Sequence, residues 1–104
     1  MEKIVIFITS ANKKEAKAIA KALVEKRLVA CVNIVEKVES FFWWKKKIDS
    51  AKEVLLIAKS KKSNFEKIAK LVKAKHSYEV PEIIALPIIA GYKPYLEWID
   101  DSLR

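Results

Sequence analysis

The chain has 104 residues, a formal net charge of +8 and 52% hydrophobic residues. This length fits a single domain over residues 1–104 and leaves no room for a separate catalytic domain. No segment approaches the ~20 apolar residues of a membrane helix, and no cleavage site follows the first apolar run. The single cysteine, Cys31, excludes an intramolecular disulfide. We therefore expect a cytoplasmic protein without a membrane partner.

The positive charge raises the question of nucleic-acid binding, because basic surfaces gain affinity by neutralising phosphates. All but two of the 21 basic residues are lysines, the exceptions being Arg27 and Arg104. Planar, bidentate recognition of phosphate or guanine favours arginine. We interpret the lysines as a solvated surface of the kind found in thermostable proteins and consider a nucleic-acid partner unlikely. Several lie on predicted outer helix faces: Lys13, Lys14, Lys17, Lys21, Lys67, Lys70 and Lys73.

The first elements are a strand and a helix. The β-branched run Ile4–Ile8 is apolar at every position, which predicts a strand buried on both faces. Asn12 and Glu15 have the spacing of a capping box, and apolar residues follow at helical spacing. The pattern predicts a helix from Asn12 to about Arg27.

A long hairpin follows this helix. Leu28–Val35 predicts a second strand, and its alternation continues to Trp44. Lys45–Lys47 is the predicted turn, from which the chain returns to the buried run Val54–Ala58. The tip of this hairpin carries four consecutive aromatic residues: Phe41, Phe42, Trp43 and Trp44.

The last elements are a helix, a strand and a shorter helix. A second capping box, Ser63–Glu66, predicts a helix whose apolar stripe reaches His76. Ile83–Ala90 predicts the fourth strand, and Pro87 within it favours an edge position or a bulge. Pro94 suits the first turn of a C-terminal helix.

The predicted order is βαββαβ plus a terminal helix, which is an α+β sandwich of the ferredoxin-like kind. Two helices cover only one face of a four-stranded sheet, so the apolar second face would expose several hundred Å², a size typical of an interaction site. Self-association in closed symmetry would bury that face, with the aromatic hairpin tip reaching onto a neighbour. We expect an obligate oligomer.

Few residues have the chemistry of a site. His76 and Cys31 are ligands that copper and zinc prefer, and Glu79 and Glu82 could add carboxylates. Two good ligands per chain do not make a four-ligand site, except across a subunit boundary. A buried structural role is the favoured interpretation for Cys31, whereas His76 is equally suited to closing the end of a helix.

Other functions have weaker support. A Cys-His pair without a third orienting group is weak evidence of nucleophilic catalysis, and one glycine cannot form a phosphate-binding loop. We expect no enzyme activity. RNA-recognition domains share the predicted order but stack bases on central-strand aromatics, which Val54–Ile57 lacks. For Trp43 and Trp44 we favour packing on a neighbouring subunit over base stacking.

Four segments together resemble the CutA divalent-cation tolerance proteins: Leu28–Ile34, Ser40–Lys45, His76–Ile83 and Tyr95–Trp98. The resemblance implies a homotrimer of ferredoxin-like subunits, related to the PII signalling trimers and linked to tolerance of copper and other divalent ions. It implies no obligatory cofactor, with Cu(II) or another divalent cation as a possible ligand. By resemblance, the residues nearest such a site are Cys31, His76, Tyr78, Glu79 and Glu82, with Trp44 closing one wall and Phe41, Phe42 and Trp43 in the trimer interface.

The sequence departs from the family pattern at three positions. Ser77 stands where the family usually has proline, Phe42 where it has tyrosine, and Lys46 where it has a turn glycine. Two other functions remain open at this point: a PII-like trimeric sensor of a small molecule without metal, and a trimeric scaffold that binds another protein.

Overall fold

Residues 2–104 are described by a computed structural model and contain four strands and three α-helices. A single 3₁₀ turn over Lys62–Asn64 precedes the second helix. The predicted βαββαβ order with a terminal helix is confirmed. The elements are β1 (Lys3–Ser10), α1 (Lys13–Glu25), β2 (Cys31–Trp44), β3 (Lys47–Lys61), α2 (Phe65–Lys75), β4 (Ile83–Pro87) and α3 (Lys93–Ser102).

The four strands form one antiparallel sheet in the order β2-β3-β1-β4. The apolar strands β1 and β3 occupy the centre, where Phe7 pairs with Ile57 on one side and Ile84 on the other. The edge position predicted for the proline-containing strand is confirmed, because β4 pairs with β1 alone and ends at Pro87.

Two strand boundaries differ from the sequence prediction. β2 begins at Cys31 rather than Leu28, because the Leu28 backbone N–H donates to Leu23 O and completes the end of α1. β4 stops at Pro87 rather than Ala90. Local backbone chemistry explains the first boundary, since the Leu28 N–H is used by the helix end. At the second boundary one more hydrogen bond, from Ile88 N to Lys3 O at 3.0 Å, lies opposite the first residue of β1, where the partner strand begins.

One face of the sheet carries the hydrophobic core. Ile4, Ile6 and Ile8 alternate along β1 and are buried beneath α1 and α2. Each of these isoleucines contributes about 2 kcal/mol to stability by leaving water. The same cluster contains Ala16, Ile19, Leu23, Leu56, Ala58, Ile68 and Val72.

The other face is only partly covered. Val5 and Phe7 are half-buried, and Ile84 beside them is exposed. The helix α3 lies over part of this face, where Lys3 Nζ forms an ion pair with Asp100 at 2.9 Å. The prediction that β1 is buried on both faces is therefore wrong for the single chain, because a ten-residue helix cannot span four strands.

Of the two predicted helix-capping boxes, one forms and one does not. The Asn12 side chain accepts a hydrogen bond from Glu15 N at 2.8 Å, which confirms the first predicted cap. The second capping box is wrong. No side chain caps α2, and the Asn64 amide instead donates to Leu28 O at 3.1 Å.

The β2-β3 hairpin forms an arm that makes the molecule elongated, with extents of 44 × 26 × 23 Å. It contains a bulge between Val35 and Val38, where Lys37 has a φ of 62°. The arm ends in a two-residue turn at Lys45 and Lys46, whose φ values are 49° and 65°. Such a turn matches the strand twist but requires left-handed backbone at both positions.

We expect Lys46→Gly to stabilise the protein by about 1 kcal/mol, because glycine adopts this left-handed conformation without a Cβ clash. Guanidinium unfolding at fixed protein concentration measures the change. Lys47→Gly is the matched control, since Lys47 begins β3 and glycine weakens a strand. A Lys46→Gly variant no more stable than the parent would contradict the prediction.

Candidate functional site

A network of polar side chains lies where α2 ends, and His76 is at its centre. The His76 side chain is 0% exposed. Its Nε2 lies 2.7 Å from Thr9 O, and its Nδ1 lies 3.0 Å from Tyr78 N. A carbonyl only accepts and a backbone N–H only donates, so Nε2 carries the proton and Nδ1 accepts. His76 thus holds the segment after α2, residues 76–82, against Thr9 near the end of β1.

Glu15 joins the first turn of α1 to the same segment. Its carboxylate accepts hydrogen bonds from Ser10 Oγ at 2.8 Å and from Ser77 N at 2.9 Å. Burial raises the pKa of Glu15, but hydrogen bonds from Ser77, Ser10 and Ala11 outweigh it, and the net pKa is lowered. One Glu15 oxygen lies 3.6 Å from His76 Nδ1. Ionised Glu15 therefore connects the start of α1 to Ser77 after α2 through hydrogen bonds.

Tyr78 connects the segment to β3. Its hydroxyl donates to Glu53 Oε2 at 2.8 Å, and its ring centroid lies 4.8 Å from that of His76. Burial, followed by the neighbouring Glu53 carboxylate, raises the pKa of Tyr78 to about 12. The phenol therefore remains a donor, which a buried Glu53 carboxylate requires.

We expect acid to weaken the network through Glu15. The folded-state pKa of Glu15 is lowered from 4.5, so its stabilisation is present above that value and is lost as the pH falls through the folded pKa. Urea unfolding between pH 7 and pH 3 measures this loss, and Glu15→Gln should flatten the dependence below about pH 4.5. Glu97→Gln on exposed α3 is the control, and identical profiles for the two variants would contradict the assignment.

The predicted metal ligands do not meet within one chain. Cys31 on β2 lies opposite Lys59 of β3, which lies opposite Val5 of β1. His76 contacts Thr9, which is four residues, or about 13 Å, further along β1 than Val5. The Cys31 thiol instead lies 3.7 Å from the Tyr95 hydroxyl. Burial, followed by that thiol, raises the pKa of Tyr95.

The remaining predicted site residues are exposed. Glu79 and Glu82 lie on the loop before β4, where Lys73 Nζ donates to the Glu79 carbonyl. Trp44 is 60% exposed near the hairpin turn, six residues or about 20 Å along β3 from Glu53. Of the six pocket residues, the structure thus brings only His76 and Tyr78 together inside one subunit.

Within residues 2–104 of one chain, no group of three or more His, Cys, Asp or Glu side chains is arranged to hold a metal ion. His76 could bind metal only by giving up a hydrogen bond, because both of its nitrogens are used. The ligand roles of His76, Cys31, Glu79 and Glu82 stay predictions.

The network contains two carboxylates that the sequence analysis did not assign to a site. Glu15 has the sequence signature of a helix cap, and this signature gives no indication that its carboxylate also accepts a hydrogen bond from Ser77 N. Glu53 stands directly before the buried run Val54–Ala58 and is only 9% exposed. A charged residue bordering a buried strand was the available signal, but its partner Tyr78 lies 25 residues away.

The tip of the β2-β3 hairpin carries large, exposed apolar side chains. We call this group of tip residues the aromatic arm; it consists of Phe41, Phe42, Trp43, Trp44 and Ile48. Phe41, Trp43 and Ile48 are 70%, 73% and 68% exposed. Ile84 and Leu86 on β4 are also about half exposed. Large apolar side chains grouped in this way mark an interaction surface.

The ferredoxin-like sheet with its long hairpin defines the class, and comparison with known proteins defines the family. The family model of the CutA1 divalent ion tolerance protein matches residues 4–102. The chain belongs to this family, as the sequence motifs predicted.

Relatives and solved structures agree with this assignment. The CutA of Archaeoglobus fulgidus is 47% identical over 99 residues, covering 95% of this chain and 96% of that protein. The chloroplastic CutA 1 of rice, Oryza sativa, is 45% identical over 97% of this chain. The crystal structure of rice CutA1 superposes with a TM-score of 0.97 at 43% identity, covering 100% of this chain and 95% of that one.

The relatives differ in length. The chain spans 57% of the curated rice protein and 56% of the chloroplastic CutA of Arabidopsis thaliana. A structure from A. fulgidus, described as a periplasmic divalent cation tolerance protein, superposes with a TM-score of 0.95 at 45% identity over 98% of this chain and 99% of that one. None of the helices in residues 2–104 has the length and apolar character needed to cross a membrane.

Proposed function

We propose that this protein acts in divalent-cation tolerance as a homotrimer without enzymatic activity, binding a divalent metal ion, copper foremost, at the boundaries between subunits. Membership of the divalent ion tolerance family supports the physiological role. The observation that carries the proposal is the aromatic arm, which a single chain leaves exposed.

The exposed apolar surface supports a closed oligomer. A buried Phe or Trp removes about 150–250 Å² from water, so the four aromatics of the arm supply several hundred Å² per subunit. The half-covered face of the sheet adds Ile84 and Leu86. Together these areas reach the ~1,000 Å² expected of a stable interface, and rotational symmetry buries every copy of the arm in the same way.

The chemistry of the free side chains supports weak metal binding between subunits. Glu79 and Glu82 are exposed carboxylates, and Cys31 is half-buried with a free thiol. We propose these groups as ligands, contributed by adjoining subunits, with His76 holding their loop in place. Cu²⁺ binds such sites more tightly than other first-row divalent ions, which favours copper.

Calorimetric titration of Cu²⁺ tests the ligand assignment. We expect Glu79→Gln combined with Glu82→Gln to weaken binding about ten-fold or more, because each carboxylate supplies an oxygen ligand and a charge. The matched control is Glu97→Gln, which removes one exposed carboxylate from α3. Equal affinities for the double variant and the parent would remove both carboxylates from the site.

We further propose that the protein resides in the cytoplasm, which its single, unpaired cysteine supports. Fractionation of the native host, followed by detection of the protein, distinguishes this from the periplasm. Recovery with periplasmic markers would contradict the proposal.

A further inference from the structure

We propose that the outer side of α1 and α2 binds the phosphate backbone of double-stranded nucleic acid without reading its sequence. We define the basic helix face as seven lysines, four from α1 and three from α2. The proposal concerns a single subunit and depends neither on metal binding nor on oligomerisation. The basic helix face consists of Lys13, Lys14, Lys17, Lys21, Lys67, Lys70 and Lys73.

The fold places these lysines on one side of the molecule. α1 and α2 pack against each other on the same face of the sheet. Their inward stripes are apolar, with Ile19 and Leu23 on α1 and Ile68 and Val72 on α2 completely buried. All seven lysines are exposed. Lysines that lie in two separate segments of the sequence thus form one surface in the folded protein.

The charge of the chain is concentrated on this surface. The two helices carry eight lysines against three glutamates, and one of these, Glu15, is turned into the His76 network. They therefore hold five of the eight net positive charges of the chain. On α3, by contrast, Lys93 is outnumbered by Glu97, Asp100 and Asp101.

Few of the lysines are neutralised by neighbours. In residues 2–104, Lys13 pairs with Glu36 at 3.3 Å, and no other lysine of the basic helix face has a carboxylate within 4 Å. Like charges at this density repel each other and raise the local potential. The interpretation of these lysines as scattered solvated charges, drawn from sequence, changes once the two helices are placed side by side.

The surroundings of the lysines favour phosphate over other anionic partners. The residues between them are small, such as the exposed Ala18 and Ala74. A protein partner would need aromatic or arginine anchors on this surface. A membrane partner would need large apolar side chains beside the lysines. Lysine alone binds phosphate as a point charge, which gives affinity without base recognition.

The dimensions suit a duplex. The 13 residues of α1 and 11 residues of α2 give helices of about 20 and 16 Å with axes about 8–10 Å apart. Lysines spread over two adjacent helices of this length can contact phosphates on both sides of a groove ~12 Å wide. About four to six contacts give a slope of log Kobs against log salt of about −4 to −5.

Fluorescence anisotropy with a labelled 20-bp duplex tests the proposal between 25 and 150 mM salt. We expect salt-dependent binding, equal for two unrelated sequences. The variant Lys14→Gln, Lys21→Gln, Lys70→Gln should bind at least ten-fold more weakly at 50 mM salt, with a slope about 2.7 less steep. The matched control is Lys47→Gln, Lys52→Gln, Lys93→Gln, which removes three exposed lysines from other elements and should bind like the parent.

Each other result overturns the proposal. No binding at 25 mM salt removes the nucleic-acid partner. Equal weakening by the two triple variants shows that net charge, rather than the basic helix face, attracts the duplex. Binding to vesicles containing anionic phosphatidylserine but not to the duplex assigns the surface to a membrane instead. Circular dichroism of both variants confirms that the comparison is between folded proteins.

Discussion

Replacing Phe41 and Trp43 with serine is expected to convert the proposed trimer, about 36 kDa, into monomers of 11.9 kDa. Both side chains lie near the tip of the arm and are more than two-thirds exposed in the single chain. A buried aromatic anchor contributes about 2 kcal/mol or more to an interface. In the proposed trimer each subunit contributes one arm, so the loss would be repeated three times.

Sedimentation velocity at micromolar concentration measures this change. Lys47→Ser is the control, because it lies at the same tip and is exposed but charged. The double variant should also unfold at lower temperature than the parent, since assembly stabilises the folded subunit by mass action. A parent protein that sediments only as a monomer would contradict the trimer itself, and an unchanged double variant would move the interface away from the arm.

Replacing His76 with alanine is expected to lower the free energy of unfolding by about 3–4 kcal/mol. The substitution removes a fully buried ring and leaves Thr9 O and Tyr78 N without their partners. Each buried, unpaired polar group costs about 1–3 kcal/mol. Tyr78 would then lose its position against Glu53, so the hydrogen bond between these two side chains would be lost together with those of His76.

Guanidinium unfolding at fixed protein concentration gives the value, with Lys75→Ala as the control. Lys75 is the exposed neighbour at the end of α2, and its loss should change stability by no more than about 0.5 kcal/mol. Copper titration of folded His76→Ala supplies a second readout. A large loss of copper affinity with little loss of stability would make His76 a ligand rather than a positioning residue.

Much of the fold follows from local patterns in the sequence. The Asn12 cap needs only a residue three positions away, and its hydrogen bond forms as predicted. The turn at Lys45 and Lys46 falls within the lysine run Lys45–Lys47, where the sequence predicts it. Pro87 limits β4 to an edge because it lacks a ladder donor. These features depend on neighbours in the chain, which is why the sequence predicts them.

The candidate site was predicted less completely because its bonds join distant residues. His76 contacts Thr9 across 67 positions and Tyr78 contacts Glu53 across 25. The sequence identified His76 and Tyr78 as candidate site residues, but it did not identify β1 and β3 as the strands that they contact. The failed capping box at Ser63–Glu66 has the same cause, since Asn64 is drawn to Leu28 O by tertiary packing.

The order of strands and helices, the edge strand and the family of this protein can all be predicted from the sequence, because each depends on periodicity or on contiguous motifs. Three other features appear only once the chain is folded: both His76 nitrogens have hydrogen-bond partners, the Cys31 thiol lies beside Tyr95 rather than His76, and seven lysines share one surface. Hydrogen-bond partners and shared faces depend on how elements pack, and packing is set by contacts over the whole chain rather than by neighbouring residues.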